Sequence, residues 1–179
     1  MRETPESPFL LLADTLGEVL GFVSLCILLG VLLFVSYTDL RNRVIPNEAL
    51  LVSAGSWFVV LAASALQLPL LQWLLLCLEC LVGALFLGGF SLVTALALEY
   101  FSGKSALGGG DVKLLFVMGL YLGLSLGLLV LFAACLLLLL FALLRALLRK
   151  GPDEGLPFAP FLTCGVLLSA LSGLLAGGL

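Results

Sequence analysis

Five runs of apolar residues, each near or beyond the length a helix needs to cross a bilayer, take up most of the 179-residue chain. They fall at 17–37, 49–66, 70–98, 112–144 and 157–179. Lipid offers the backbone no hydrogen-bonding partner, so each run is expected to close its own bonds as an α-helix. Composition agrees, with 63% hydrophobic and 11% charged residues, against roughly half and a quarter in soluble domains. The expected class is all-α integral membrane, with one membrane-embedded domain over 1–179 and a polar N-terminal tail at 1–16. Near the N-terminus Arg2 is outweighed by Glu3, Glu6, Asp14 and Glu18. The basic start of a signal peptide is therefore missing, and the first run is expected to stay in the mature protein as a helix.

The fourth run decides the topology. A continuous helix over 112–144 would be roughly 50 Å long, well beyond a hydrocarbon core of about 30 Å. Gly119, Gly123 and Gly127, around Tyr121, supply backbone permissive enough for a turn. Splitting the run there predicts a polytopic bundle of six transmembrane helices, the fourth short, with both termini outside. Charge tests this independently. With six crossings Arg41, Arg43, Lys104, Lys113, Arg145, Arg149 and Lys150 share one face, with Arg2 alone opposite, and the positive-inside rule makes that face cytoplasmic.

Asp39 and Asp111 both fall at that cytoplasmic boundary, where a carboxylate is costly enough to raise a functional question. Two carboxylates held close share a proton, one serving as base and the other as acid. That is equipment for activating water against an amide. The glycines of Gly108-Gly109-Gly110-Asp111 have two readings: a bendable, side-chain-free approach for an extended substrate, or a flexible linker. Lys113 either favours the ionised form of Asp111 or snorkels to the interface. Glu79, deep in the third run, is either a protonated structural residue or one that touches substrate or tunes the pair.

Other features narrow the function. Cys26, Cys77, Cys80, Cys135 and Cys164 all lie in apolar runs and read as small hydrophobes. Cys77 and Cys80 form a Cys-x-x-Cys, but with no second pair and no histidine in the chain no zinc site is expected, nor any cofactor. No basic stripe points to nucleic acid. Trp57 and Trp73 flank the turn at Pro69 and read as interfacial anchors. Gly83, Ala84, Gly88 and Gly89 suit close helix packing, either within the chain or in a homodimer. The competing function is a small membrane transporter or channel, with Asp39, Glu79 and Asp111 as a proton or cation relay. Only Glu79 lies deep, which favours hydrolysis at a boundary.

The motif Gly108-x-Gly110-Asp111-x-Lys113 resembles the glycine-aspartate motif of the type IV prepilin peptidases, which are integral-membrane aspartic proteases. Asp39-x-Arg41 followed by Ile45-Pro46-Asn47 resembles the family's first catalytic segment, and is closest to the small prepilin peptidases of tight-adherence pilus systems. Pro157-Phe158-Ala159-Pro160-Phe161-Leu162 resembles the segment that opens the family's last helix. The resemblance implies a multi-pass enzyme of the bacterial inner (plasma) membrane with its active site facing the cytoplasm. It would cleave the peptide bond after the basic leader of type IV prepilin or pseudopilin substrates. Asp39 and Asp111 are the implied catalytic pair, supported by Gly108, Gly110, Lys113, Arg41, Pro46 and Asn47. Larger members carry an N-terminal region with paired Cys-x-x-Cys motifs, associated with methylation; here peptidase activity alone is expected. A basic leader would also be drawn to the anionic membrane surface, so substrate and lipid are the implied partners.

Overall fold

The computed structural model describes residues 17–65, 68–102, 108–148 and 157–176. The polar tail at 1–16, Lys104, Arg149 and Lys150 lie outside the described residues. Those described form five α-helices: α1 (Gly17–Asn42), α2 (Asn47–Ser64), α3 (Leu70–Ser102), α4 (Gly109–Leu147) and α5 (Ala159–Ala176). Four contain stretches long and apolar enough to cross a membrane: Phe22–Asn42, Asn47–Ser64, Leu70–Phe101 and Gly109–Arg145. The apolar stretch Ala159–Ala170 in α5 is shorter. The chain is thus an all-α, multi-pass membrane protein, and large side chains such as Phe22, Leu51, Phe90 and Phe132 remain exposed on its outer face, as lipid contact requires.

Six helices were expected, with both termini outside; the described residues give five, and nothing among them fixes a side for either terminus. The reason is local. The helix stops at Gly123 (φ 66°, ψ −168°) and resumes at once, so no loop divides residues 109–147 into separate elements. That backbone conformation is open essentially to glycine alone.

The break nevertheless reverses the chain. In a straight helix Asp111 and Phe141 would stand roughly 45 Å apart. Instead Phe141 packs on Phe161 with ring centroids 5.6 Å apart, two residues beyond Ala159, whose N–H reaches Asp39. Asp39 in turn is near enough to act electrostatically on Asp111. Neighbours along α3 agree. Before the break Phe116 lies against Gly88 and Gly119 against Ala84; after it, Gly127 lies against Leu87. The first segment of α4 therefore runs antiparallel to α3 and the second runs back beside it.

Small residues make this possible. A Cβ on Gly119 would stand 2.5 Å from Ala84 Cα, and one on Gly83 2.5 Å from the Gly123 carbonyl carbon. Gly83, Ala84 and Gly88 are thus used inside the chain, while Gly89 has open space around it. Around this contact Leu32, Leu87, Met118 and Leu162 help fill a core to which all five helices contribute. Trp57 is not the interfacial anchor its position suggested: only 2% exposed, it belongs to that core. Trp73 is half-buried and its indole N–H donates to the Leu61 carbonyl (3.1 Å). Some hydroxyls inside the helices bond back to their own backbone, as Ser64 does to Leu61 and Ser91 to Gly88, which satisfies them without water. All five cysteines are free thiols.

Gly123→Ala is expected to destabilise the protein by about 1–3 kcal/mol through backbone strain, and Gly119→Val by a similar amount, about 1–3 kcal/mol, through overpacking. Gly30→Ala and Gly55→Ala, where an added Cβ meets nothing within 4 Å, should melt like the parent. Thermal unfolding in detergent of all four variants checks the contrast.

Candidate active site

Along α1 the buried positions Leu28, Leu32 and Val35 lead at helical spacing to Asp39, which is itself only 8% exposed. A carboxylate that ends a buried stripe needs a hydrogen-bond donor. It finds one at the start of α5, where the Ala159 N–H donates to Asp39 Oδ2 (3.1 Å). That N–H belongs to the first turn of the helix and has no partner within it, so each group meets the other's need. One turn deeper Ser36 Oγ and Thr163 Oγ1 are bonded at 2.7 Å, and Thr163 also reaches the Ala159 carbonyl (3.0 Å). These contacts fix α1 against α5 directly beneath Asp39.

After Asn42 the chain leaves the helix through Arg43, which adopts the left-handed region (φ 54°) and sends its N–H back to the Asp39 carbonyl (3.0 Å). Such a residue ends many helices. Ile45 and Pro46 then lead into α2, with Pro46 extended (φ −69°, ψ 129°) at its N-cap.

Asp111 lies in the first turn of α4. Its Oδ2 accepts the Gly108 N–H (3.2 Å), and its own N–H returns to the Gly108 carbonyl (3.0 Å). This is the half of a capping box in which the third helical residue reaches back to the cap. A carboxylate there also meets the positive end of the helix dipole.

Of the glycines before Asp111 only Gly108 stands outside the helix. Gly109 and Gly110 are already helical. Gly110 is needed because Ile45 occupies the space its side chain would take, at 2.8 Å from an added Cβ. Lys113 is exposed, and its Nζ donates to Asn47 Oδ1 (2.9 Å). Deeper in the fold, Tyr121 Oη donates to the Ser53 carbonyl (2.8 Å) and is bonded to Ser56 Oγ (2.6 Å), so the first segment of α4 is tied to α2 at both ends.

The structure thus brings together Asp39, Asp111, Gly108, Gly110, Pro46, Asn47 and Lys113 at one end of the bundle. Arg41 points outward, donating to Tyr37 Oη (2.9 Å). Glu79 is not part of the cluster. It lies one turn beyond Gly83, which puts it roughly 18 Å along the helix axes from Asp111. Sequence reasoning missed the Ala159 N–H, the Ile45 contact and the Ser36–Thr163 pair. A signal for the first existed in Pro160, since proline favours the opening turn of a helix and marks where unpartnered N–H groups will stand.

Comparison with known proteins bears on this arrangement. A family model, that of the type IV leader peptidase family, matches residues 26–143, a span that contains both Asp39 and Asp111. The chain is also similar to the prepilin leader peptidase/N-methyltransferase of Bacillus subtilis (strain 168), with 30% identity over 148 residues. That alignment covers 82% of this chain and 54% of the relative, so the chain spans about half the length of the curated relative it matches. No solved structure matches the chain.

Thr163→Val should destabilise the fold by about 1–3 kcal/mol, because it leaves the buried Ser36 hydroxyl without its partner. Ser36→Ala should cost less, since Thr163 keeps the Ala159 carbonyl. Unfolding of the two single variants and the double variant in detergent measures the coupling.

Proposed function

The chain belongs to the type IV leader peptidase family, and from that premise we propose that it is a prepilin leader peptidase whose catalytic pair is Asp39 and Asp111. It hydrolyses the peptide bond that follows the basic leader of a type IV prepilin or pseudopilin. The observation that carries this reading is the meeting of two carboxylates, from α1 and from α4, at one end of a membrane-embedded bundle, close enough to interact electrostatically. Each is held through one oxygen, Oδ2, by a backbone N–H. Among the described residues Oδ1 of each accepts no hydrogen bond, so each carboxyl has an oxygen to offer to water or substrate.

The chemistry follows from that arrangement. Partial burial and the like charge of Asp39 both favour the protonated form of Asp111. The ionised member takes a proton from water as its oxygen attacks the scissile carbonyl carbon. The protonated member donates a hydrogen bond to the carbonyl oxygen, and a proton then passes to the departing amine as the C–N bond breaks.

We place this end of the bundle at the cytoplasmic face. Arg41, Arg43, Lys113 and Arg145 all lie towards it, as the return of the second segment of α4 requires, and basic residues collect on the cytoplasmic side. Counting the two segments of α4 separately gives six passes, the fourth short, with both termini on the far side. A transporter or channel with a carboxylate relay is the weaker reading, because Glu79 stands apart from the pair.

Membranes carrying this chain are expected to shorten a co-expressed prepilin, with the new N-terminal residue identified by mass spectrometry. Asp39→Asn and Asp111→Asn should each abolish the cleavage while the protein still inserts at normal abundance. Cleavage by either variant would remove that aspartate from the catalytic pair. Cys77→Ser should cleave at the parent rate.

A further inference from the structure

We propose that Lys113 and Asn47 are a positioning pair, a clasp that holds the Asp111 turn at its working distance from Asp39. The inference rests on the proposed catalytic pair and adds what sets its spacing.

The two aspartates come from helices joined by long stretches of chain, so their separation depends on whatever docks one helix end on the other. The shortest route between them runs through the α1–α2 connection. From Asp39 the chain turns at Arg43 in its left-handed conformation and reaches Ile45 six residues on. Ile45 packs where a side chain on Gly110 would stand, one residue before Asp111. Two residues after Asp111, Lys113 Nζ donates to Asn47 Oδ1 (2.9 Å), two residues beyond Ile45. The 45–47 segment therefore grips the Asp111 turn on both sides, by steric contact before the aspartate and by a hydrogen bond after it.

The two contacts differ in kind. The Gly110–Ile45 contact limits how closely the segments approach but cannot stop them separating. The Lys113–Asn47 bond supplies the attraction, and a charged donor makes it stronger than a neutral bond. Both partners are exposed, so the bond adds little to the packing of the core and can be removed without opening a cavity. It need not touch substrate to matter. Misplacing a reacting group by about 1 Å can cost about a hundredfold in rate, and a helix end released on one side has that freedom.

This differs from direct electrostatics. If Lys113 acted by its charge on Asp111, Asn47 would be a bystander. If the clasp sets the spacing, the two residues act as one unit, and their losses must not add.

The test uses the full chain reconstituted in lipid nanodiscs with a purified prepilin. Asn47→Ala and Lys113→Met are each expected to lower kcat by about tenfold with KM within about twofold, as loss of positioning alone should do. The double variant should be no slower than either single. Asn47→Asp, which still offers an oxygen to the ammonium, should recover most of the rate. Additive losses would overturn the clasp, as would a Lys113→Met variant that shifts the pH profile while Asn47→Ala is silent.

A second readout does not need activity. Amide hydrogen exchange over 108–113 should quicken in Asn47→Ala and in Lys113→Met alike, with the thermal midpoint unchanged. Unaltered exchange there would overturn the proposal whether or not the chain cleaves prepilin. Faster exchange in both variants, together with a wild-type chain that cleaves no prepilin, would support the clasp and reject the peptidase reading.

Discussion

Everything at the proposed catalytic end depends on the reversal of the chain at Gly123. Asp39 can stay buried as a carboxyl because α5 begins beside it and offers the Ala159 N–H. α5 can begin there because the second segment of α4 has carried the chain back to the same end. A helix running straight on from Gly109 would deliver α5 to the opposite side and leave Asp39 without a donor. The reversal has its own requirement, which is close approach. Gly83, Ala84 and Gly119 let two backbones meet almost in contact, and in lipid, where apolar side chains gain nothing by meeting each other, such packing and a few hydrogen bonds hold helices together.

Much of this was legible in the sequence, for identifiable reasons. Lipid leaves the backbone no choice but helix, so runs of apolar residues map almost directly to elements. The excess length of the fourth run and the glycines at 119, 123 and 127 located the break, although a reversal completed within one residue left five helical elements where six had been counted. The two aspartates stood out because carboxylates are costly at those positions. The supporting contacts did not, because they are pairings between distant segments. Nothing in a single sequence says that Ile45 fills the place of a side chain at 110, or that the lysine at 113 reaches the asparagine at 47. The same holds for Trp57, whose amphipathic ring suggested an interface until packing placed it in the core. The glycine triplet is a different case. Glycine permits bending, but it also permits a neighbour to come close, and at Gly110 the second use prevails.

The two carboxyls are held in different ways, and the difference bears on how the site can adjust. The donor to Asp39 comes from another helix, with the Ser36–Thr163 pair locking the same two helices together one turn below. Separating α1 from α5 would strip a buried carboxyl of its only donor among the described residues, at a cost of about 1–3 kcal/mol or more for a charged group. Asp111 takes its bond from Gly108, within its own turn, and carries that bond wherever the turn goes. Its links to the rest of the site are the Ile45 contact and an exposed side-chain bond. The turn that carries Asp111 opens a helix segment packed almost in backbone contact with α3, so the two carboxyls differ in the source of their donor and not in whether their helix is held. Asp39 thus keeps its donor only while α1 and α5 stay together, whereas Asp111 keeps its donor for as long as the opening turn of α4 stays folded.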